Sequence, residues 1–231
     1  VPGTDNLYNS FYYPVDAGPA NPVAETTDNI DAGLRYTSGK IQAQGSVWYT
    51  RYSNRLASAY DIETDTRQYR NLGRVDKYGI DGSISYQPIP QLALYAFGSY
   101  MKSEIKDNVL VGDGVYAPTA GKREGGAPAY NFGGSARALL GNVDLGVTAK
   151  RTGGRYLFDT NEALIVGGKE VYGAKTNAYW LVNLDARVNL EFLGLNDKTF
   201  LQLDVYNLFN TLYVGSFNSG LATGSVPYAQ I

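Results

Sequence analysis

The sequence contains no cysteine, no histidine and a single methionine in 231 residues. Those absences remove disulfide scaffolds, thiolate and imidazole metal sites, and nucleophile systems built on a Cys–His or Ser–His pair. Excess charge of one sign is missing too: 20 Lys and Arg against 22 Asp and Glu leave a net charge of −2. A nucleic-acid binder normally shows a strongly basic face, so nucleic acid is not an expected partner. No apolar run reaches the ~18 residues a transmembrane helix needs. The opening segment, Val1 to Ser10, has neither the basic start nor the apolar middle of a secretory signal. What the chain has in quantity is glycine, 27 residues, and tyrosine, 20 residues.

Period-two alternation organises those residues. Trp180, Val182, Leu184, Ala186, Val188 and Leu190 alternate with Asn183, Asp185, Arg187 and Asn189. A strand turns successive side chains to opposite faces, so this segment has one apolar and one polar face. Wound as a helix, the same residues would scatter both kinds around the cylinder. Similar rows predict strands over 30–36, 41–50, 80–87, 92–100, 130–138, 143–150, 180–190 and 199–213. With extensions into the flanking residues, each reaches the ~9–11 residues that cross a bilayer when tilted.

The connections alternate as well. Tight turns are expected at 38–40, 87–91, 140–142 and 194–198, and long polar loops at 54–70, 104–127, 157–177 and 214–227. Turns on one side and loops on the other are the asymmetry of a transmembrane β-barrel. Tyr36, Tyr86, Phe192 and Phe200 fall where strands meet turns, and Tyr52, Tyr100, Tyr130, Tyr156, Trp180 and Tyr213 where strands meet loops. Two aromatic girdles bracketing an apolar band suit the two membrane interfaces. The apolar rows are rich in alanine and glycine, a thin core for a two-layer sandwich but sufficient against lipid. The polar row, Arg35, Gln42, Gln44, Asp81, Arg137, Asp144, Lys150, Asp185, Arg187 and Asp204, is then expected to line a lumen.

The predicted fold is therefore all-β: an antiparallel transmembrane β-barrel segment of about eight strands, with Tyr228–Ile231 starting a ninth. Eight strands traced in alternation leave both chain ends on the loop side. An open eight-strand sheet would also present two unpaired edges to lipid, which the bilayer does not tolerate. The expectation is a C-terminal portion of a larger barrel.

Several segments carry a family likeness. Leu203-Asp204-Val205-Tyr206-Asn207-Leu208-Phe209-Asn210, followed by Tyr213, resembles the penultimate strand of TonB-dependent outer-membrane receptors. The stretch from Asn71-Leu72-Gly73 to Tyr86-Gln87-Pro88 is similar to one of their strands ending in a proline turn. Thr26 to Tyr36 is similar to the strand before it. The resemblance covers approximately residues 25–231. It implies a barrel of about 22 strands around an N-terminal plug, a scarce nutrient bound from outside, and uptake energised by the TonB complex. The ligand class so implied is a ferric siderophore or iron chelate. The implied partners are outer-membrane lipids and lipopolysaccharide, the small nutrient, and TonB through an N-terminal part this chain lacks. Neither a catalytic residue nor a cofactor is implied.

Candidate binding residues follow from chemistry. Arg67, Tyr69, Arg70 and Arg74, with Lys122 and Arg123, are the basic loop clusters; guanidinium groups suit carboxylate or phosphate-bearing ligands. Solvated loops, or loops that hold lipopolysaccharide phosphates, would look the same. Trp48, Tyr95 and Phe97 share the inward phase and can stack on a sugar, a flat chelate or the plug. The charged lumen row reads equally as cross-strand pairs or as the seat of a plug. Asp61, Glu63 and Asp65 have the spacing of a calcium loop but lack its glycine and its final glutamate, with Thr66 and Leu72 in those places. Gly121, Gly125, Gly126, Gly153 and Gly154 read as loop hinges. Two other architectures share the alternation: a passive porin-like barrel, and a soluble secreted sandwich that binds or hydrolyses glycans.

Overall fold

The computed structural model describes residues 24–61, 66–112, 115–217 and 229–230. For 56–61, 66–71, 110–112, 115, 166, 229 and 230 it describes the backbone alone. Eight strands form one antiparallel sheet in which every strand pairs with its neighbours in the chain. They are β1 (Thr26–Ser38), β2 (Ile41–Ser53), β3 (Val75–Ile89), β4 (Leu92–Ile105), β5 (Tyr130–Leu140), β6 (Val143–Thr152), β7 (Tyr179–Asn189) and β8 (Phe200–Val205). Among the described residues the only helical element is a single 3-10 turn, Glu191–Leu193, closed by Gly194 in the left-handed conformation (φ 77°).

Register fixes which side chains share a face. Arg35, Gln44, Ser83, Phe97, Gly133 and Lys150 form one row across β1 to β6. One residue along each strand, Leu34, Gly45, Gly82, Gly98, Phe132 and Arg151 form the next row, on the opposite face. A slip of one residue would exchange the faces everywhere, so the alternation pins the register. Among the described residues the apolar rows meet no second layer: Leu34 is 86% exposed, Ile80 55% and Leu203 62%. A sandwich would bury these rows; here they form an open apolar skin, and the sandwich alternative fails.

Tight connections lie along one margin of the sheet. Gly39 (φ 48°) and Gly141 (φ 62°) take left-handed turn positions between β1 and β2 and between β5 and β6. The β3–β4 turn leaves only Pro90 and Gln91 between strands. Long connections lie along the other margin, and they carry hairpins of their own at Leu56–Asp61 with Thr66–Asn71, Val109–Gly112 with Val115–Ala117, and Leu164–Val166 with Lys169–Tyr172. The buried core sits there rather than in the sheet. Leu72, Val75, Ile105, Val109 and Ala117 form one cluster, with Tyr52 against it; Leu157, Phe158 and Leu164 form another, with Tyr172 and Phe217.

Three expectations are corrected. The eighth strand does not run from 199 to 213 but stops at Val205. Asn207 and Asn210 adopt positive φ (51° and 49°), and the Asn207 side chain closes a turn by accepting from Thr211 N (2.9 Å) and donating to Thr211 O (3.0 Å). Tyr52 and Phe200 are not girdle residues on the apolar face, because they pair with Val75 and Asn189 on the polar face. Tyr213 stacks 4.6 Å from Tyr179, which belongs to that same face. The expected ninth strand of the wall does not join the eight-stranded sheet: Ala229–Gln230 pairs with Ser216–Phe217 in a separate two-stranded ladder, and Tyr228 and Ile231 lie outside the described residues.

Candidate functional site

All ten residues of the expected lumen row share the polar face. Toward the turn margin they form a charge group. Arg137 Nε donates to both oxygens of Asp144 (2.7 and 2.9 Å), and its Nη2 lies 3.6 Å from Asp185. Asp185 stands directly opposite Asp204 in register, a like-charge pair that would repel if left alone. Arg137 faces one of them, and Gln202 Nε2 donates to the other at 3.0 Å. Gly146, opposite Asp185, leaves room that its carboxylate fills. The Arg187 guanidinium lies 3.7 Å from the centre of the Phe200 ring.

The middle of the same face carries aromatic and neutral groups. Trp48 Nε1 donates to Asp81 Oδ2 at 2.7 Å, and the indole lies across Gly79, where a Cβ would stand 2.6 Å from the ring. Tyr95 and Phe97 stack with centroids 5.9 Å apart. Arg35, held only loosely by Gln44 (3.3 Å), and Asp81, Ser83, Tyr95, Phe97 and Ser99 border an open hollow of about 700 Å³. Aromatic faces, hydroxyls and one guanidinium suit a planar or hydroxylated guest bearing negative charge.

The basic loop residues are not one cluster. Lys122 reaches Glu162 at 4.0 Å in an exposed pair. Arg123 is half-buried against the sheet top, where its guanidinium donates to the Met101 carbonyl, and this partial burial lowers its pKa from the usual value. Arg74 sits in a chain junction: its N–H donates to Asp107 Oδ2 (2.9 Å) and its carbonyl accepts from Lys106 N (2.8 Å). Arg67, Tyr69 and Arg70 belong to the strand Thr66–Asn71, but their side chains lie outside those described, as do those of Asp61, Glu63 and Asp65.

What the loop margin does assemble was invisible in the pattern. Glu124 bridges Arg55 Nε (3.2 Å) and Lys77, and both cations flank the Tyr52 ring at 4.8 and 4.9 Å. Arg55 also pairs with Glu25 at 2.9 Å. On either side of Glu124 the backbone is gripped by the connection between β6 and β7. Asn161 accepts from Arg123 N (2.7 Å) and donates to Arg123 O (2.6 Å), while Asp159 Oδ1 accepts from Gly125 N (2.7 Å). Asp159 is 3% exposed, and burial, with the Glu124 charge adding to it, raises its pKa to about 6. The pattern of the sequence does not mark these residues, since the hydrogen bonds that join Arg55 to Glu25 and Glu124, Asn161 to Arg123 and Asp159 to Gly125 span 30 to 69 positions.

The apolar face has its own edge chemistry. Tyr49, Tyr78, Tyr100, Tyr130, Phe132 and Trp180 form its aromatic belt near the loop margin. Cations rise from the belt: Arg51 over Tyr49 (5.7 Å), Lys102 over Tyr78 (5.9 Å) and Arg151 over Trp180 (5.9 Å). Asp76 accepts from Arg51 at 3.0 Å. Among the described residues no three His, Cys, Asp or Glu stand where they could hold a metal ion.

An apolar skin, a charged opposite face, tyrosine belts and one-sided loops define a wall of a membrane-crossing β-barrel. The chain belongs to the family described as TonB dependent receptor-like, beta-barrel, which it matches over residues 1–208. That membership places it in the outer membrane of a Gram-negative bacterium, in a family of transport receptors. The chain is similar in structure to the ferric yersiniabactin uptake receptor FyuA from Yersinia pestis, with a TM-score of 0.64 and 17% identity over 89% of this chain and 28% of that one. It is similar to the FrpB iron transporter from Neisseria meningitidis (TM-score 0.58, 20% identity, 90% of this chain and 30% of that one). The ferric enterobactin receptor PfeA from Pseudomonas aeruginosa gives 0.59 and 18%, over 86% of this chain and 28% of that one. The chain thus spans less than a third of the length of these structures. No curated protein matches it by sequence.

Proposed function

We propose that this chain is the C-terminal barrel portion of an active-transport receptor that binds a scarce nutrient, of the ferric siderophore or iron chelate class, for TonB-energised uptake. The observation that carries the reading is the two-faced single layer. Its apolar rows are exposed, and its opposite face holds charged and aromatic groups under long, internally folded loops. Family membership and the iron-receptor neighbours support the same reading. Ligand contacts are assigned to Trp48 on the wall and to Arg67, Tyr69, Arg70, Arg74, Lys122 and Arg123 in the loops. The ten polar wall residues line the lumen around a plug supplied by the rest of the polypeptide. The cation-bearing rim of the aromatic belt faces lipopolysaccharide phosphates.

The test uses the whole receptor in cells that lack other iron uptake. Growth on a ferric chelate as sole iron source is expected to need both this protein and an intact TonB system. Solute entry that persists without TonB would make the barrel a passive pore. Reversing Arg74 and Lys122 to Glu should weaken binding of an anionic ferric chelate about tenfold or more, equivalent to ~1.4 kcal/mol. Unchanged binding would remove those two residues from the site.

A further inference from the structure

We infer that the turn Phe158–Asn161 is a proton-operated clasp between the extramembrane loops, closed when the Asp159 carboxyl is neutral and loosened when it is charged. The turn belongs to the β6–β7 connection, and beyond the bonds that close the turn itself its Asp159 and Asn161 side chains reach another connection, that between β4 and β5. Asn161 grips both backbone groups of Arg123, and Asp159 holds Gly125 N. The gripped segment is bounded by glycines: Gly121 (φ 77°) lies before it, Gly126 (φ 83°) after it, and Gly125 is within it. Between the two grips stands Glu124, whose carboxylate reaches Arg55 beyond β2 and Lys77 on β3. One turn therefore sets the position of a carboxylate that ties a third connection to the sheet.

The sign of the switch follows from what faces Asp159. Asp159 is 3% exposed, and none of the ion pairs among the described residues includes it. The Gly125 N–H bond favours the charged carboxylate, Glu124 from the gripped segment opposes a second negative charge, and Arg55 and Lys77 favour one from farther off. Lys122 and Glu162, at the margin of the turn, pair with each other. Burial leads, and the group titrates near pH 6. When the clasp opens, Asp159 reaches water and its ordinary value of 3.8. A raised carboxyl pKa stabilises the closed form fully below pH 3.8, and that stabilisation is lost as pH rises through about 6. The ratio of open to closed clasp is expected to rise about tenfold between pH 5 and pH 7.5.

The clasp stands whether or not these loops bind a nutrient, because its readout contains no ligand. Amide exchange is measured on the full-length receptor in detergent, and protection factors at residues 123–126 are corrected for the intrinsic pH dependence of exchange. Protection in the native protein should fall about tenfold from pH 5 to pH 7.5, while D159N, which carries a neutral side chain of the same shape, stays protected throughout. N161A should lower protection at every pH and keep the pH slope. Protection that is flat with pH in the native protein would overturn the inference, and so would an unchanged slope in D159N.

Discussion

A single-residue step along β6 separates the two environments this sheet divides, and it gives the sharpest test of the membrane reading. Val147 lies mid-strand on the apolar face, in register with Ala136 and Leu184. Thr148, the next residue, shares the polar face with Ser135 and Asn183. Arginine at Val147 would place a guanidinium against hydrocarbon near the bilayer midplane, which costs about 2–4 kcal/mol in transmembrane barrels. Arginine at Thr148 would point among hydroxyl and amide groups on the watery face and should cost within about 0.5 kcal/mol. The difference, about 1.5–4 kcal/mol, corresponds to roughly 10-fold to 900-fold in the folding equilibrium. Denaturant titration of the full-length receptor folded into lipid vesicles, with tryptophan emission as the probe, reads it directly. Two variants of equal stability would refute the reasoning, because a water-exposed face on both sides predicts no asymmetry between V147R and T148R.

Other consequences are as specific. G79A places a Cβ 2.5 Å from the Tyr100 carbonyl and 2.6 Å from the Trp48 ring. It should displace the indole, break its bond to Asp81 and destabilise by about 1–3 kcal/mol, seen as a shift in tryptophan emission and a lower unfolding midpoint. E124Q removes the charge shared by Arg55 and Lys77. The expected loss is about 2 kcal/mol of local stability, read as faster proteolysis at the loop margin with little change in global unfolding. N207A removes both bonds to Thr211 and leaves a Cβ-bearing residue at φ 51° without the amide that tolerates it. A loss of about 1–2 kcal/mol should appear in chemical denaturation, and N207G should recover part of it.

How far the sequence alone reached depended on the range of the interactions involved. Period-two alternation is a local property, and the lipid or water on each side acts on every residue separately. Strand existence, the division of faces and the side on which turns fall were therefore legible: Arg35, Asp81, Lys150 and Asp185 share one face as expected. Aromatic positions near strand ends were legible only in part. Tyr52 and Phe200 count into a girdle by their place in the chain, but the pairing of Tyr52 with Val75 and of Phe200 with Asn189 puts them on the polar face. The early end of β8 depends on Asn207, whose side chain satisfies the backbone four residues on and releases it from the ladder.

The loop margin is where the tertiary structure alone decided. Glu124, Asp159 and Asn161 occupy unremarkable loop positions, and each acquires its role from partners far along the chain: Asp159 from Gly125, Glu124 from Arg55 and Lys77. Burial raises the Asp159 pKa, and burial is a property of the packed loops rather than of the residue or its neighbours in sequence. Alternation written into the chain determined a two-faced sheet for a membrane, because solvent sorts side chains one at a time. Which loop groups meet, and at what charge, was settled only once those loops had folded over the sheet.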